Sequence, residues 1–365
     1  MASHTLKTRT KYHFPQKNCL VVVKRHFGCF ITEIGTENVP VWISEYLILY
    51  SMKENSLENI VFKQGMRLMG NHFEISVVGT DEEWANNMTA KAVAEIQRIE
   101  TLLTTYRADS ETNLINTAAG IAPVKVSEET FRLIQRSIKI SGITQGAFDI
   151  SYGSVDKSLW NFDASMTSLP DQQTAKRMVR LINYRNIILD EKNMTVYLKE
   201  KGMRIGFGGI GKGYAAEMAK RVLKEAGVES GIVNASGDLT VWGQQPDGKP
   251  WTIGIIDPNF ANKIFSYLNV TDMAVATSGN YEKFVMINGV KYSHTIDPRT
   301  GLPVRGIKSV TIISPNAEIA DAMATPVTIM GITAGLDMVN QLKGVEAIVI
   351  DDNDVLYTSK NLHFT

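Results

Sequence analysis

The sequence predicts an α+β fold of mixed sheets with packed helices, and three observations carry that prediction. Segments of helical period alternate with short strands from residue 72 onward. An Asn288-Gly289 pair joins two of those strands as a tight hairpin. Hairpins and helical crossovers occur in the same chain, which argues against a pure doubly wound sheet.

Alternation first becomes legible in HFEISVVG, 72–79. Residues 82–106 then place Ala92, Ile96, Ile99 and Leu103 at helical spacing, on one face. The stretch SEETFRLIQRSIKISG, 127–142, opens on a Ser N-cap and closes on Gly, the two ends expected of a helix. Past Pro170, DQQTAKRMVRLIN predicts another helix, followed by strands at 186–190 and 194–199 and by GMRI. A helix over 212–227 runs into the strand GIVNAS, 231–236. Next come WTIGIID, MAVATS and FVMI, the last joined to VKYSHTI through Asn288-Gly289. SVTIIS, helices at 317–325 and 333–343, and the strands EAIVI and VLYTS close the chain. Pro326 lacks an N–H and its ring clashes with the carbonyl of Ala322, so the helix before it is expected to kink or end there.

With 365 residues, 44% of them hydrophobic and 21% charged, the chain is long enough for one large domain or two. Basic and acidic residues number 38 each, so no charge excess points to nucleic acid as a partner. Both cysteines, Cys19 and Cys29, fall near the N-terminus, which leaves the rest without disulfides or Cys-based metal sites. The longest apolar run, VPVWISEYLILY at 39–50, is broken by Glu45 and falls short of the ~18 to 20 residues that span a bilayer. No transmembrane segment is expected. Lys24, Arg25 and His26 interrupt the N-terminal apolar pieces, so no secretory signal is read and a cytoplasmic protein is expected from the chain as written.

Three motifs carry chemistry. GFGGIGKG, 206–213, matches G-x-G-x-x-G at Gly206, Gly208 and Gly211 between a strand and a helix, where backbone N–H groups hold phosphate. Gly213 stands where a P-loop NTPase needs Ser or Thr for magnesium, which argues against that class. The same glycines also serve a plain tight turn. Against that reading, Lys212 is electrostatically misplaced at a helix start unless an anion lies nearby. YSHTIDPRTG, 292–301, reads as a strand leaving through an Asp297-Pro298 turn, with His294 either structural or functional. Thr277, Ser278 and Tyr281 in VATSGNYEKF add small polar groups beside it. EIADAMAT, 318–325, sets Asp321 and Thr325 four apart, on one helical face, so that two oxygens meet at one point. Hard oxygen donors suit magnesium when substrate phosphates complete its shell; a solvated Asp beside a Thr is the plainer alternative.

Taken together these motifs resemble the FAD:protein FMN transferases, the ApbE-type flavin transferases. The resemblance covers roughly residues 66–358, in order: Met69-Gly70, TTYRADSETNLIN, GAFDISYG, LWNF, GGIGKGYAAE, NASGD, ATSGNYEKF, YSHTIDPRTG and ADAMAT. It implies an ApbE-type, T-fold-like catalytic unit of two lobes over 66–358, an N-terminal extension at 1–65 that is disordered or precedes the native start (Met52 or Met66), and a tail at 359–365. The activity implied is magnesium-dependent cleavage of FAD, with FMN esterified to a Ser or Thr of an acceptor protein, a redox-pump or flavin-carrier subunit, and AMP released. By the same resemblance Asp321, Thr325 and the Gly209 carbonyl bind the metal, and Met69, Tyr106, Ala147, Phe148 and Asp149 line the flavin and adenine sites. Lys212 and His294 stand near the dinucleotide, and His294 is the general base for the acceptor hydroxyl, a task suited to an imidazole.

Two departures stand out. Gly206 occupies a place where many members carry Asp, and the N-terminus shows no lipobox although members are often exported lipoproteins. FAD hydrolysis to FMN and AMP at the same site, and FAD binding without catalysis, remain the alternatives. A nicotinamide oxidoreductase rests on G-x-G-x-x-G alone and is disfavoured, because that motif falls late in the chain amid hairpins.

Overall fold

The computed structural model describes residues 58–159, 167–256, 264–279 and 284–362. The chain divides into two units, Met1–Ser56 and Leu57–Thr365, and all the described elements belong to the second. Cys19, Cys29, Trp160, Asn161, Phe162 and Tyr281 lie outside the described residues.

The second unit opens with β1 (Ile60–Leu68) and β2 (Asn71–Gly79), antiparallel in unbroken register. Met69 and Gly70 join them at φ 50° and 72°, the geometry of a two-residue hairpin turn. The boundary drawn at residue 65 therefore falls inside a strand. Most side chains of β1 are exposed, so it carries little apolar alternation to read. Asp81 caps α1 (Glu82–Leu103), accepting from the Trp84 N–H at 2.7 Å, and the helix buries Ala92, Ile96, Ile99 and Leu103 as expected. An unanticipated helix, α2 (Glu111–Thr117), starts at Ser110, whose Oγ accepts from the Asn113 N–H at 3.1 Å. After β3 (Val124–Lys125), α3 (Glu128–Ile143) begins at the Ser127 cap, but Gly142 lies within it. The chain leaves α3 through Gln145 and Gly146, at φ 52° and 78°.

A short α4 (Gln172–Met178) precedes β4 (Ile187–Asp190) and β5 (Thr195–Leu198), which form a small sheet of order β3-β5-β4. GMRI is no strand. Instead the Asn116 amide serves Ile205 as a strand neighbour would, accepting from its N–H at 2.7 Å and donating to its carbonyl at 3.0 Å. Helix α5 (Gly211–Glu225) leads into β6 (Gly231–Ala235) and β7 (Asp238–Trp242). Strands β8 (Trp251–Ile256) and β9 (Ile264–Val270) pair with each other, β10 (Ala274–Gly279) follows, and β11 (Phe284–Ile287) and β12 (Val290–Ser293) form the hairpin predicted at Asn288-Gly289. The remainder is β13 (Ile307–Ser314), α6 (Ala317–Met330), α7 (Ile332–Val339), β14 (Glu346–Asp351) and β15 (Leu356–Thr358). Helix α6 does not end at Pro326: it continues to Met330 and stops at Gly331, φ 84°. Buried Ala322, Met323 and Val327 on either side hold it in the core, which offsets the one helical hydrogen bond that proline removes.

Eight strands make the main sheet, in the order β1-β2-β6-β7-β10-β13-β14-β15, every neighbour antiparallel. Order in space equals order in the chain, so the helices are excursions from a meander rather than parallel crossovers. One face carries α1, α5 and α6, with Phe73, Ile75, Ile96, Ile99, Ala216 and Ala320 at full burial. Each large side chain so buried contributes roughly 1.5–3 kcal/mol. On the other face Leu239, Val241, Val275 and Ile313 meet Trp251, Ile253 and Ile255. With both faces covered, β7 is buried along its whole length. The chain stays anchored past Thr358: Ser359 is buried and accepts from the Ala347 N–H at 3.0 Å, and Leu362 packs on the second core. Among the described residues no helix is long and apolar enough to cross a membrane.

Candidate active site

A cleft of about 1000 Å³, at the upper end of the range for small-molecule sites, opens where several of these segments converge. Its walls come from the β1–β2 turn, the end of α1, residues 147–153, the turn before α5, His294 to Pro298, and α6. Met69, Tyr106, Ala147, Phe148, Asp149, Gly209, Lys212, His294 and Thr325 all line it. The remaining predicted residue, Asp321, lies just behind the wall, 7% exposed and one helical turn from Thr325.

The start of α5 builds the floor. Ile210 caps it at φ −151°, with no side-chain cap of its own, so the first N–H groups of the helix need partners from elsewhere. Asp321 supplies one across the α5–α6 interface: its Oδ2 accepts from the Gly213 N–H at 2.8 Å. The two helices touch so closely there that a Cβ on Gly213 would lie 2.1 Å from the Ala317 carbonyl oxygen and 2.6 Å from Asp321 Cβ. Gly213 is thus a packing glycine. Glu217, one turn on, accepts from the Ala317 N–H at 2.9 Å and ties the same helices again.

Lys212, one residue earlier, forms an ion pair with Asp238 Oδ2, and Asp321 adds a second negative charge nearby. One ammonium thus faces two carboxyl groups in a largely buried setting. Burial works against the Lys212 charge, but Asp321 and Asp238 outweigh it and raise its pKa. Burial pushes the Asp321 carboxyl up to about 7, the Asp238 charge pushes the same way, and Lys212 opposes both. Asp238 is likewise raised, chiefly by burial. The Gly213 N–H donates to Asp321 Oδ2, and the Lys212 backbone N–H also favours the charged carboxylate. A buried carboxylate whose charged form is disfavoured by its surroundings gains from a cation beside it. The described residues contain no cluster of three or more His, Cys, Asp or Glu suited to a metal. The predicted donors are one carboxylate, the Thr325 hydroxyl and the Gly209 carbonyl, a set that would suit magnesium only if a substrate's phosphates complete it.

The other predicted residues divide by exposure. Ala147 and Phe148 are buried in the wall, and a Cβ on Gly209 would sit 3.7 Å from Phe148 Cε2. Asp149 turns its carboxylate inward, accepting from the Ser151 N–H at 2.8 Å, the Ser151 hydroxyl at 2.6 Å and the Tyr184 N–H at 2.7 Å. It fixes the wall rather than offering a charge to the cleft. Tyr106 is 97% exposed, a bare ring at the rim. Met69 holds a left-handed backbone at φ 50°, which costs a non-glycine residue about 1 kcal/mol or more. His294 leaves β12 into the turn read from the sequence, where Asp297 accepts from Arg299 Nε at 2.9 Å and Nη2 at 2.8 Å. Gly301, at φ 76°, closes that turn against the Ala175 carbonyl. Gly206 leaves space: a Cβ there would meet only Thr105 Cγ2, at 3.9 Å.

Asp238 is what sequence reasoning missed. It stood in the quoted NASGD motif, yet an Asp opening a strand gives no sign that it will be buried against Lys212, 26 residues away.

The ApbE family model matches residues 69–349, about three quarters of the chain, and this span holds every residue of the cleft. The chain belongs to the ApbE family. Among its relatives is the FAD:protein FMN transferase of Klebsiella pneumoniae strain 342, 32% identical over 305 residues, covering 83% of this chain and 93% of that protein. That of Treponema pallidum strain Nichols is 30% identical over 270 residues, covering 70% of this chain and 74% of that protein. Among solved structures, the ApbE protein of Thermotoga maritima superposes with a TM-score of 0.73 at 29% identity, covering 82% of this chain and 97% of its own. The apo form of the Pseudomonas stutzeri flavinyl transferase ApbE gives 0.73 at 25% identity, covering 84% and 97%. These ApbE structures share the mixed antiparallel sheets and packed helices found here.

Proposed function

We propose that this protein is a transferase that moves FMN from FAD to a Ser or Thr hydroxyl of an acceptor protein, with magnesium at the Asp321–Thr325 edge of the cleft. The observation that carries this reading is the buried Lys212–Asp238–Asp321 group at the start of α5, beside the Gly turn that lines the cleft. Relatives named FAD:protein FMN transferase cover most of the chain and support the same activity.

In this mechanism the Gly206–Gly211 turn holds the diphosphate through backbone N–H groups, and Lys212 adds positive charge beside it. Met69, Phe148 and Tyr106 supply apolar surface for the ring systems. His294 accepts the proton of the acceptor hydroxyl as its oxygen bonds to the FMN phosphorus. The bond from that phosphorus to the bridging oxygen breaks, and AMP leaves with the electron pair. When bound, the metal ion offsets negative charge developing on the phosphate oxygens.

Hydrolysis uses the same groups with water in place of the hydroxyl. Incubation with FAD and magnesium, with and without acceptor, separates the two. Transfer predicts AMP release that matches the flavin attached to acceptor; AMP release at an unchanged rate without acceptor, and no attached flavin, would refute it.

A further inference from the structure

We propose that Arg136 is a positioning residue for this reaction: it fixes the crossing of α5 and α6, and with it the place of Asp321 and Thr325 beside the Gly turn. This rests on the metal reading above. Arg136 lies in α3 and does not line the cleft, yet it holds both of the helices that form the site. Its guanidinium binds Glu318 of α6 through two parallel hydrogen bonds, from Nε at 2.6 Å and from Nη2 at 2.9 Å. The same guanidinium lies over the Tyr214 ring of α5, 5.7 Å from its centroid. The Tyr214 hydroxyl donates to Glu129 Oε1 at 2.6 Å, so that ring is held at its edge as well as its face. Glu129 and Arg136 stand two turns apart on one side of α3, and Arg98 of α1 braces Glu129 at 2.7 and 2.8 Å.

The places of the two gripped residues give the contact its meaning. On α6, Glu318 comes three residues before Asp321 and seven before Thr325, so all three share a face. On α5, Tyr214 follows Gly213, whose N–H reaches Asp321 and whose α-carbon packs against the Ala317 carbonyl. Gly213 and Ala317 let the helices approach closely but carry no long side chain to lock their register. Glu217 ties one side of the crossing through the Ala317 N–H, and Arg136 ties the other. An exposed ion pair would be a weak strut, but Glu318 is only 4% exposed, so its charge needs the guanidinium and the pair stays made. Helix α3 itself leads through Gln145 and Gly146 into Ala147 and Phe148 of the cleft wall, so one side chain joins three parts of the site. Groups that act on a substrate must be held within roughly 0.5 Å of their working place, which is the demand such a strut meets.

The double variant R136M/E318Q removes the pair without leaving a buried charge alone. Two affinities are read with no acceptor present: magnesium for the protein–FAD complex, by titration calorimetry, and FAD with all metal chelated, by flavin fluorescence. The variant should bind magnesium about tenfold more weakly and metal-free FAD within about twofold of the unaltered protein. The second expectation follows because the Gly turn has its own anchor, from the Gly206 N–H to the Ile150 carbonyl at 2.9 Å. R136K keeps a charge opposite Glu318 but lacks the planar fork, so its magnesium affinity should fall between the two; it decides by the same criterion if the double variant does not fold. Unchanged magnesium affinity, whatever the melting temperature, would make the pair a stabilising contact only and overturn the positioning role. Equal losses of magnesium and metal-free FAD affinity would show that the whole cleft depends on Arg136, and would overturn it too. No magnesium binding by the unaltered protein with FAD bound would overturn the metal reading and this inference with it.

Discussion

At the scale of single residues, the account turns on a few buried groups with little freedom to change. In the proposed mechanism Asp321 carries two duties, since it caps the start of α5 through Gly213 and would also hold the cation. Asp321→Ala should therefore abolish FAD turnover and also lower stability by about 1 kcal/mol through the lost cap. Asp321→Asn keeps an acceptor for the Gly213 N–H, so it should lose turnover while holding its melting temperature closer to the parent; product analysis and calorimetry separate the two effects. Asp238→Asn leaves Lys212 with Asp321 as its nearest carboxylate, so the ammonium competes with the metal there. Magnesium affinity in the presence of FAD should fall about tenfold, read by titration calorimetry; unchanged affinity would show that Asp238 does not restrain Lys212. Asp321, Thr325, Lys212 and His294 stand out in the sequence because their spacing and company are odd for a core helix or a strand. Asp238 does not, because its meaning depends on a partner that only the folded sheet brings near.

At the scale of elements, local signals worked where one residue decides the geometry. Ser127 starts α3 and Asn288-Gly289 turns β11 into β12 as their backbone preferences dictate. They failed where tertiary packing prevails. Gly142 remains inside α3, Pro326 inside α6, and a side-chain amide stands in for a strand beside Ile205. The close α5–α6 crossing at Gly213 sharpens this: Gly213→Ala drives a methyl into the Ala317 carbonyl, and should cost about 1–3 kcal/mol or more by overpacking, seen as a lower melting temperature. A variant as stable as the parent would mean that the helices separate easily.

For the whole molecule, the sheet explains where the site must be. A meander with helices on one face gathers the β1–β2 turn, the start of α5, the end of β10 and the C-terminal half of α6 around one cleft, although they span more than 250 residues of sequence. The edge strand β1 was the hardest part to foresee, since exposed residues carry no period. Removing residues up to 70 should expose the β2 edge and lower stability sharply, seen as a lower melting temperature. The central claim joins all three scales: one divalent cation binds between Asp321 and Thr325 beside the Gly turn while FAD fills the cleft. Anomalous diffraction from crystals grown with FAD and manganese in place of magnesium tests it most directly. The account predicts one strong peak between the Asp321 carboxylate, the Thr325 hydroxyl and the dinucleotide phosphates; bound FAD with no peak there, or a peak held by other residues, would contradict it.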